Sequence, residues 1–156
     1  EPSFIIKIFD IGYLNLVNQF SINMTNKSKK ILSEISAGEL LDKISILEIK
    51  LEKIEDKNNR EEIKKEYKIL KEIQNSSIKF DDKIKELFNS IKVINIRLWN
   101  VEDELRVCEK NKDFGKNFIE LAREVYFNND KRSKIKSEIN KVLGSNIKEI
   151  KEYAQY

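Results

Sequence analysis

The stretch "ISAGELLDKISILEIKLEKI", residues 35–54, decides how the rest of the chain is read. Ser36 stands just before an apolar repeat, and Glu39 follows three residues later. That is the spacing of a capping box, in which the serine accepts from the Glu39 amide and the Glu39 carboxylate reaches back. The spacing predicts a helix from Ala37 to about Asp56. Leu40, Ile44, Leu47, Leu51 and Ile54 fall at alternating steps of four and three, which makes one apolar seam. At about 100° per residue, with Leu40 at zero, Ile49, Asp42 and Ile46 fall near 180°, 200° and 240°. Two separated stripes imply contacts on both sides of this helix. Asp42 belongs to the second stripe, where a carboxylate needs a partner, hydrogen bonds or water. A salt bridge at the edge of a packed face is its simplest explanation.

The following segments repeat the pattern. Asp56 to Asn59 reads as a turn, with Asn59 capping a second helix and Glu62 at its third position. Ile63, Tyr67, Leu70 and Ile73 form a matching seam, and so short a connection implies antiparallel packing. "NSSIKFDD", residues 75–82, breaks the pattern, and Asp81 or Asp82 caps a third helix that runs to about Lys110. Its seam is Ile84, Leu87, Phe88, Ile91, Ile94, Leu98, Val101, Leu105 and Cys108. Lys112 to Gly115 is the next turn. A fourth helix starts near Lys116 with Phe118, Leu121, Ala122 and Val125 inward. It either continues to Leu143 or kinks at "NND", 128–130, and Gly144 suits its C-terminal cap. Ser145 is then placed to cap a short last helix with Ile147 and Ile150. The expected fold is an all-α antiparallel bundle: a helical hairpin, two further long helices and a short C-terminal one.

Composition bounds the chemistry. The chain has 156 residues, of which 40% are apolar and 37% charged, with net charge +3. Such charge density, with four glycines and one proline, suits long helices with solvated outer faces. The absence of histidine removes histidine bases and histidine-dependent triads. Cys108 is the only cysteine, so no internal disulfide or cysteine zinc site forms, and a reducing cytoplasm is the expected compartment. No cofactor is implied, and although carboxylates for Mg²⁺ abound, they show no spaced ligand set. No apolar run is long enough to span a membrane. Residues 128–151 hold seven Lys/Arg against three acids, enough to attract an anion. They lack the interleaved aromatics of a stacking platform, so nucleic acid is not an expected partner.

The N-terminus reads differently. "EPSFIIKIFDIGYLNLV", residues 1–17, suggests a strand at 4–9 and a short helix at 13–20 but lacks the features of a signal peptide. Residues 1–34 are expected to be an extension outside one helical domain at 35–156, with Met24 opening a more ordinary soluble terminus.

Candidate site residues come from polar groups on inward faces. On the third helix Asn95, Trp99, Glu102, Arg106 and Glu109 share a stripe beside the core seam. Plain intrahelical pairing of Glu102 with Arg106 also explains two of them. If the fourth helix is unbroken, Asn129, Arg132 and Lys136 continue its inward phase, with Arg123, Tyr126 and Asp130 alongside. Arg132 and Lys136 then need acidic partners or an anion, and Asp42, Glu102 and Asp103 are the internal candidates. The candidate ligand-binding set is therefore Asp42, Trp99, Glu102, Asp103, Arg106, Arg123, Tyr126, Asn129, Asp130, Arg132 and Lys136.

Three of these segments, "SAGELLDKISILEIK" (36–50), "LWNVEDELRVCE" (98–109) and "FIELAREVYFNNDKRSKIKSEINKVLGS" (118–145), resemble an uncharacterised bacterial domain family of unknown function, DUF6165. The resemblance covers about Ile35 to Tyr153 and maps its pattern onto Gly38, Glu39, Asp42, Lys43, Glu48 and Lys50. It continues onto Trp99, Glu102, Asp103 and Arg106, then Arg123, Tyr126, Asn129, Asp130, Arg132, Lys136 and Asn140. It implies a short helical protein or module, with a link to glycosyltransferase genes, and carries no activity. Two functions remain. One is a non-enzymatic helical module that binds a protein partner or self-associates. The other is a bundle that holds a small anionic ligand between Arg106, Arg123, Arg132 and Lys136, with Asp42, Glu102 or Asp103 orienting it or moving a proton. Metal-independent helical mutases of the chorismate type are the pattern-level analogy for the second.

Overall fold

The structure is a computed structural model and describes residues 31–152. The expectations for residues 1–30 lie outside the described residues. Four helices make up the unit that begins at Glu34: α1 (Ala37–Lys53), α2 (Lys57–Ser77), α3 (Asp82–Asn111) and α4 (Lys116–Leu143). The described residues contain no strand, and the fold is an all-α bundle.

Three of the four helices begin where a side chain satisfies an orphan amide, and α4, which starts after Gly115, does not. Ser36 Oγ accepts from the Glu39 amide at 3.2 Å, which is the serine half of the capping box. The glutamate half is not made, because the Glu39 carboxylate is bound by Lys136 instead. Asp56, not Asn59, caps α2, with its Oδ1 accepting from the Asn59 amide at 2.8 Å. α1 accordingly ends at Lys53 rather than Asp56, with Ile54 extended. The Arg60 guanidinium closes that end by donating to the carbonyls of Leu51 and Ile54. Asp81 caps α3 through the Ile84 amide at 3.0 Å. Lys112, at φ 55°, turns the chain out of α3 in the left-handed region, and Gly144, at φ 64°, does the same after α4. No helix follows Ser145 among the described residues. Its hydroxyl instead accepts from the Ala37 amide at 3.0 Å, so a residue read as a local cap serves the distant start of α1.

α1 is the one helix packed against all three others. One face joins Leu40, Leu41 and Ile44 to Ile84, Leu87 and Phe88 of α3 and Ile139 of α4. Burying a side chain of this size contributes roughly 2 kcal/mol. The other contact is α2, which rests on α1 and buries only Gln74 completely. Ile73, expected in the α2 seam, is exposed, and Gln74 takes the inward place with Lys71 donating to its Oε1. On α3 the seam holds except that Ile94 and Leu105 are half-buried and Asn95 is buried.

Contacts fix the directions. α1 runs alongside α3, from Leu40 near Ile84 to Lys53 at Asn100, and opposite to α4, from Gly38 at Asn140 to Asp42 at Arg132. α1 ends there, but α3 and α4 do not. Beyond it Val101, Cys108 and Leu121 form a second core, with Leu105, Phe118 and Val125 packed against it. α3 and α4 thus project as a two-helix arm. Its α3 side, Val101 to Asn111, is about 16 Å long at 1.5 Å per residue.

Candidate functional site

α4 is continuous through residues 128–130. Asn128 and Asn129 donate to the carbonyls of Glu124 and Val125, one turn back, and so stay inside the helix instead of capping a new one. The unbroken helix carries Arg132 and Lys136 inward, and the two find different acids.

Arg132 finds Asp42. Its Nε donates to Asp42 Oδ1 at 2.9 Å and its Nη2 to Asp42 Oδ2 at 2.5 Å, a two-point pairing. The Asp42 side chain is 1% exposed and that of Arg132 is 27% exposed. Asn95 of α3 completes the shell by donating to Asp42 Oδ1 and to Ser45 Oγ, both at 2.8 Å. Three helices therefore meet on one carboxylate. The hydrogen bonds to Asp42, working against burial, hold the Arg132 guanidinium above its ordinary pKa.

Lys136 finds Glu39 and Glu149. Burial pushes its ammonium down, but hydrogen bonds to Glu149 and Glu39 outweigh this and raise its pKa. Lys136 and Lys151 together hold the Glu149 carboxyl below its usual range. One turn further on, Asn140 Oδ1 accepts from the Gly38 amide at 2.6 Å. The backbones come so close here that a Cβ on Gly38 would lie 2.5 Å from the Lys136 carbonyl oxygen. Ser36, Asn140 and Ser145 thus satisfy the first three amides of α1, two of them from the end of α4. Glu102 and Asp103, expected as partners for these two cations, pair instead with Arg106 on their own helix, at 3.1 and 3.7 Å.

Beside Arg132 a cleft of about 350 Å³ opens between α1 and α3. Ile46, Ile49 and Leu98 give it an apolar wall, and Asn95, Trp99, Glu102, Asp103, Arg106 and Arg132 complete its lining. Five of the residues expected from sequence meet there, with Asp42 bonded to two of the lining residues. Asn129 sits behind, its Oδ1 3.5 Å from Arg132 Nη1. The others do not line it. Lys136 is on its own acids, the Arg123 guanidinium lies 5.8 Å from the Phe127 ring centre, Tyr126 packs on the same ring, and Asp130 is half-buried on α4. The cleft continues past Glu102 and Arg106 into a shallower groove along the arm, over Leu105, Glu109, Phe118, Ala122 and Val125.

These geometries fall on the segments that carry the family resemblance. The chain belongs to the family of unknown function DUF6165, whose profile matches residues 31–156. No curated protein and no solved structure matches it significantly. None of the described helices of this DUF6165 domain is long and apolar enough to cross a membrane. Sequence reasoning placed Asn95 on the polar stripe of α3 but left it out of the ligand-binding set, and it missed Ser45 and Asn140 as polar partners and Gly38 as a contact point; Gly38 and Asn140 gave no local signal beyond their place in the family pattern.

Proposed function

We propose that this domain is a non-catalytic helical interaction module, and that its binding face is the open groove along the α3–α4 arm. The observation that carries the reading is the unequal length of the helices. α1 packs along α3 and α4 and ends at Lys53, and the apolar lining continues past it along the arm. A two-helix arm whose apolar groove is left uncovered by the described residues is the form of a helix-binding surface.

The cations expected to clamp an anion support this reading over the ligand-binding one. Arg132 is held by Asp42, Lys136 by Glu39 and Glu149, and Arg106 by Glu102 and Asp103, while Arg123 lies over Phe127. An anionic ligand, or a chorismate-type transition state, would have to break these pairs first. The test places a photoreactive p-benzoylphenylalanine at Leu105 in the groove and, as control, at Glu61 on the exposed face of α2. On irradiation in the native cell, a discrete protein adduct from position 105 and none from position 61 is the expected result. No adduct from position 105, together with a raised melting temperature in the presence of a carboxylate or phosphate compound, would turn the assignment to the anionic ligand.

A further inference from the structure

The groove has more than an apolar floor; it has a charge and a length. Glu102, Asp103 and Glu109 stand along its α3 edge with Arg106 as the only cation among them. Arg132, at the near end, is already neutralised by Asp42. The groove is therefore locally acidic on a chain whose net charge is +3. Side chains of Glu102, Asp103 and Arg106 are 49%, 62% and 68% exposed, so an incoming group reaches them without unfolding anything.

From these features, and resting on the interaction reading above, we infer that the open half of the groove takes a basic amphipathic helix of about three turns from another protein, laid end to end with α1. Shape argues for a helix because the first half of the same α3–α4 groove is occupied by one, α1. The arm extends about 16 Å past α1, the length of roughly eleven helical residues. Leu105, Phe118, Ala122 and Val125 receive an apolar stripe at i, i+3, i+4 and i+7, and Trp99 closes the near end. Flanking lysines or arginines meet Glu102, Asp103 and Glu109. Charge also argues against a second copy of this chain as the occupant. In an antiparallel two-fold pairing of arms, with the axis across the grooves, each acidic α3 edge faces another, and the single Arg106 per copy leaves an excess of carboxylates on both sides.

The experiment measures fluorescence anisotropy of a labelled synthetic helix of leucines at that spacing with lysines elsewhere, and of the same peptide with glutamate replacing every lysine. The lysine peptide should bind the wild-type domain. Glu102→Lys with Glu109→Lys should weaken it by at least about tenfold, and Ala122→Trp, which fills the floor, should do the same. The control reversal Glu61→Lys with Glu62→Lys, on the exposed face of α2, should leave binding unchanged. Equal binding of the glutamate peptide, equal loss with the α2 control, or no binding of the lysine peptide overturns the inference. A position-105 adduct found in the same preparation would then keep the interaction reading while rejecting this occupant, and an adduct consisting of a second copy of the chain would do so directly.

Discussion

Asp42 and Arg132 offer the sharpest test of how the bundle is held. Asp42→Leu leaves the Arg132 guanidinium unpaired in a position only 27% exposed, and takes one acceptor from Asn95. Breaking a buried pair from one side costs about 3–5 kcal/mol. The partial exposure of Arg132 lets water reach it and puts this variant at the lower end, about 3 kcal/mol. Arg132→Met strands a carboxylate that is 1% exposed with only Asn95 as donor, so its cost belongs at the upper end, about 4–5 kcal/mol. In a folded unit of this size each kcal/mol moves the melting temperature by roughly 3–6 °C, so both losses should exceed about 10 °C. The double variant Asp42→Leu/Arg132→Met removes both charges and keeps the volume, and should return to within about 1 kcal/mol of wild type. Urea unfolding followed by circular dichroism measures all three. Single losses below about 1 kcal/mol, or a double variant as unstable as the sum of the singles, would refute the claim that the pair is a mutually dependent buried unit.

Three further outcomes are expected. Gly38→Ala should destabilise by about 2–3 kcal/mol despite the better helix propensity of alanine, because the new Cβ meets the Lys136 carbonyl oxygen at 2.5 Å and Asn140 Oδ1 at 2.9 Å; an unchanged melting temperature would show that the two backbones separate at no cost. Gly144→Ala meets nothing within 4 Å, so its cost is the positive φ alone, about 1 kcal/mol, with Gly144→Asn recovering part of it in the same melting assay. The Glu149 carboxyl titrates below its ordinary value in the folded state, so its contribution is present above about pH 4.5 and fades as pH falls through the folded pKa. The melting-temperature gap between wild type and Glu149→Gln should therefore be full at neutral pH and close on acidification, and a gap that persists in strong acid would contradict the Lys136–Glu149 pairing. Lys136, held above its ordinary value, contributes up to about pH 10.5 and loses its contribution only as pH rises through the folded pKa, so no alkaline change is expected before then.

The helices were legible because their signals are local. Aspartates and a serine ahead of apolar repeats set the starts of α1 and α3, glycine closed α4, and the wheel of α1 already required partners on two sides. The errors have one physical cause. Glu39 has two places to put its carboxylate, its own helix start or a cation on another helix, and the pairing with Lys136 wins. Ser145 has a similar choice between starting a helix and serving Ala37, and the tertiary bond wins there too. Arg60, a residue of the next helix, closes α1 after Lys53, and no spacing rule within α1 foretells it. Local rules describe what a side chain can do, and packing decides which of its options is taken.

The candidate site shows the same division more sharply. That Asp42 lay on a contact face followed from its angle on the helix, and the need for a cation followed from the cost of burying a carboxylate. Which cation answered depended on how α4 lies across α1, and that is fixed by Gly38, whose missing side chain lets the two backbones approach. The approach sets Asn140 against the start of α1 and, two turns back along α4, sets Arg132 against Asp42. A glycine with no chemistry of its own thus selects the pairing. With Arg132 and Lys136 engaged internally, the charge left exposed along the groove is that of Glu102, Asp103 and Glu109, with Arg106 among them. The basic inward face of α4 is thus neutralised inside the fold, and the charge that stays exposed is the acidic edge of α3, which is why a cationic helix, rather than an anion, is the partner that the groove fits.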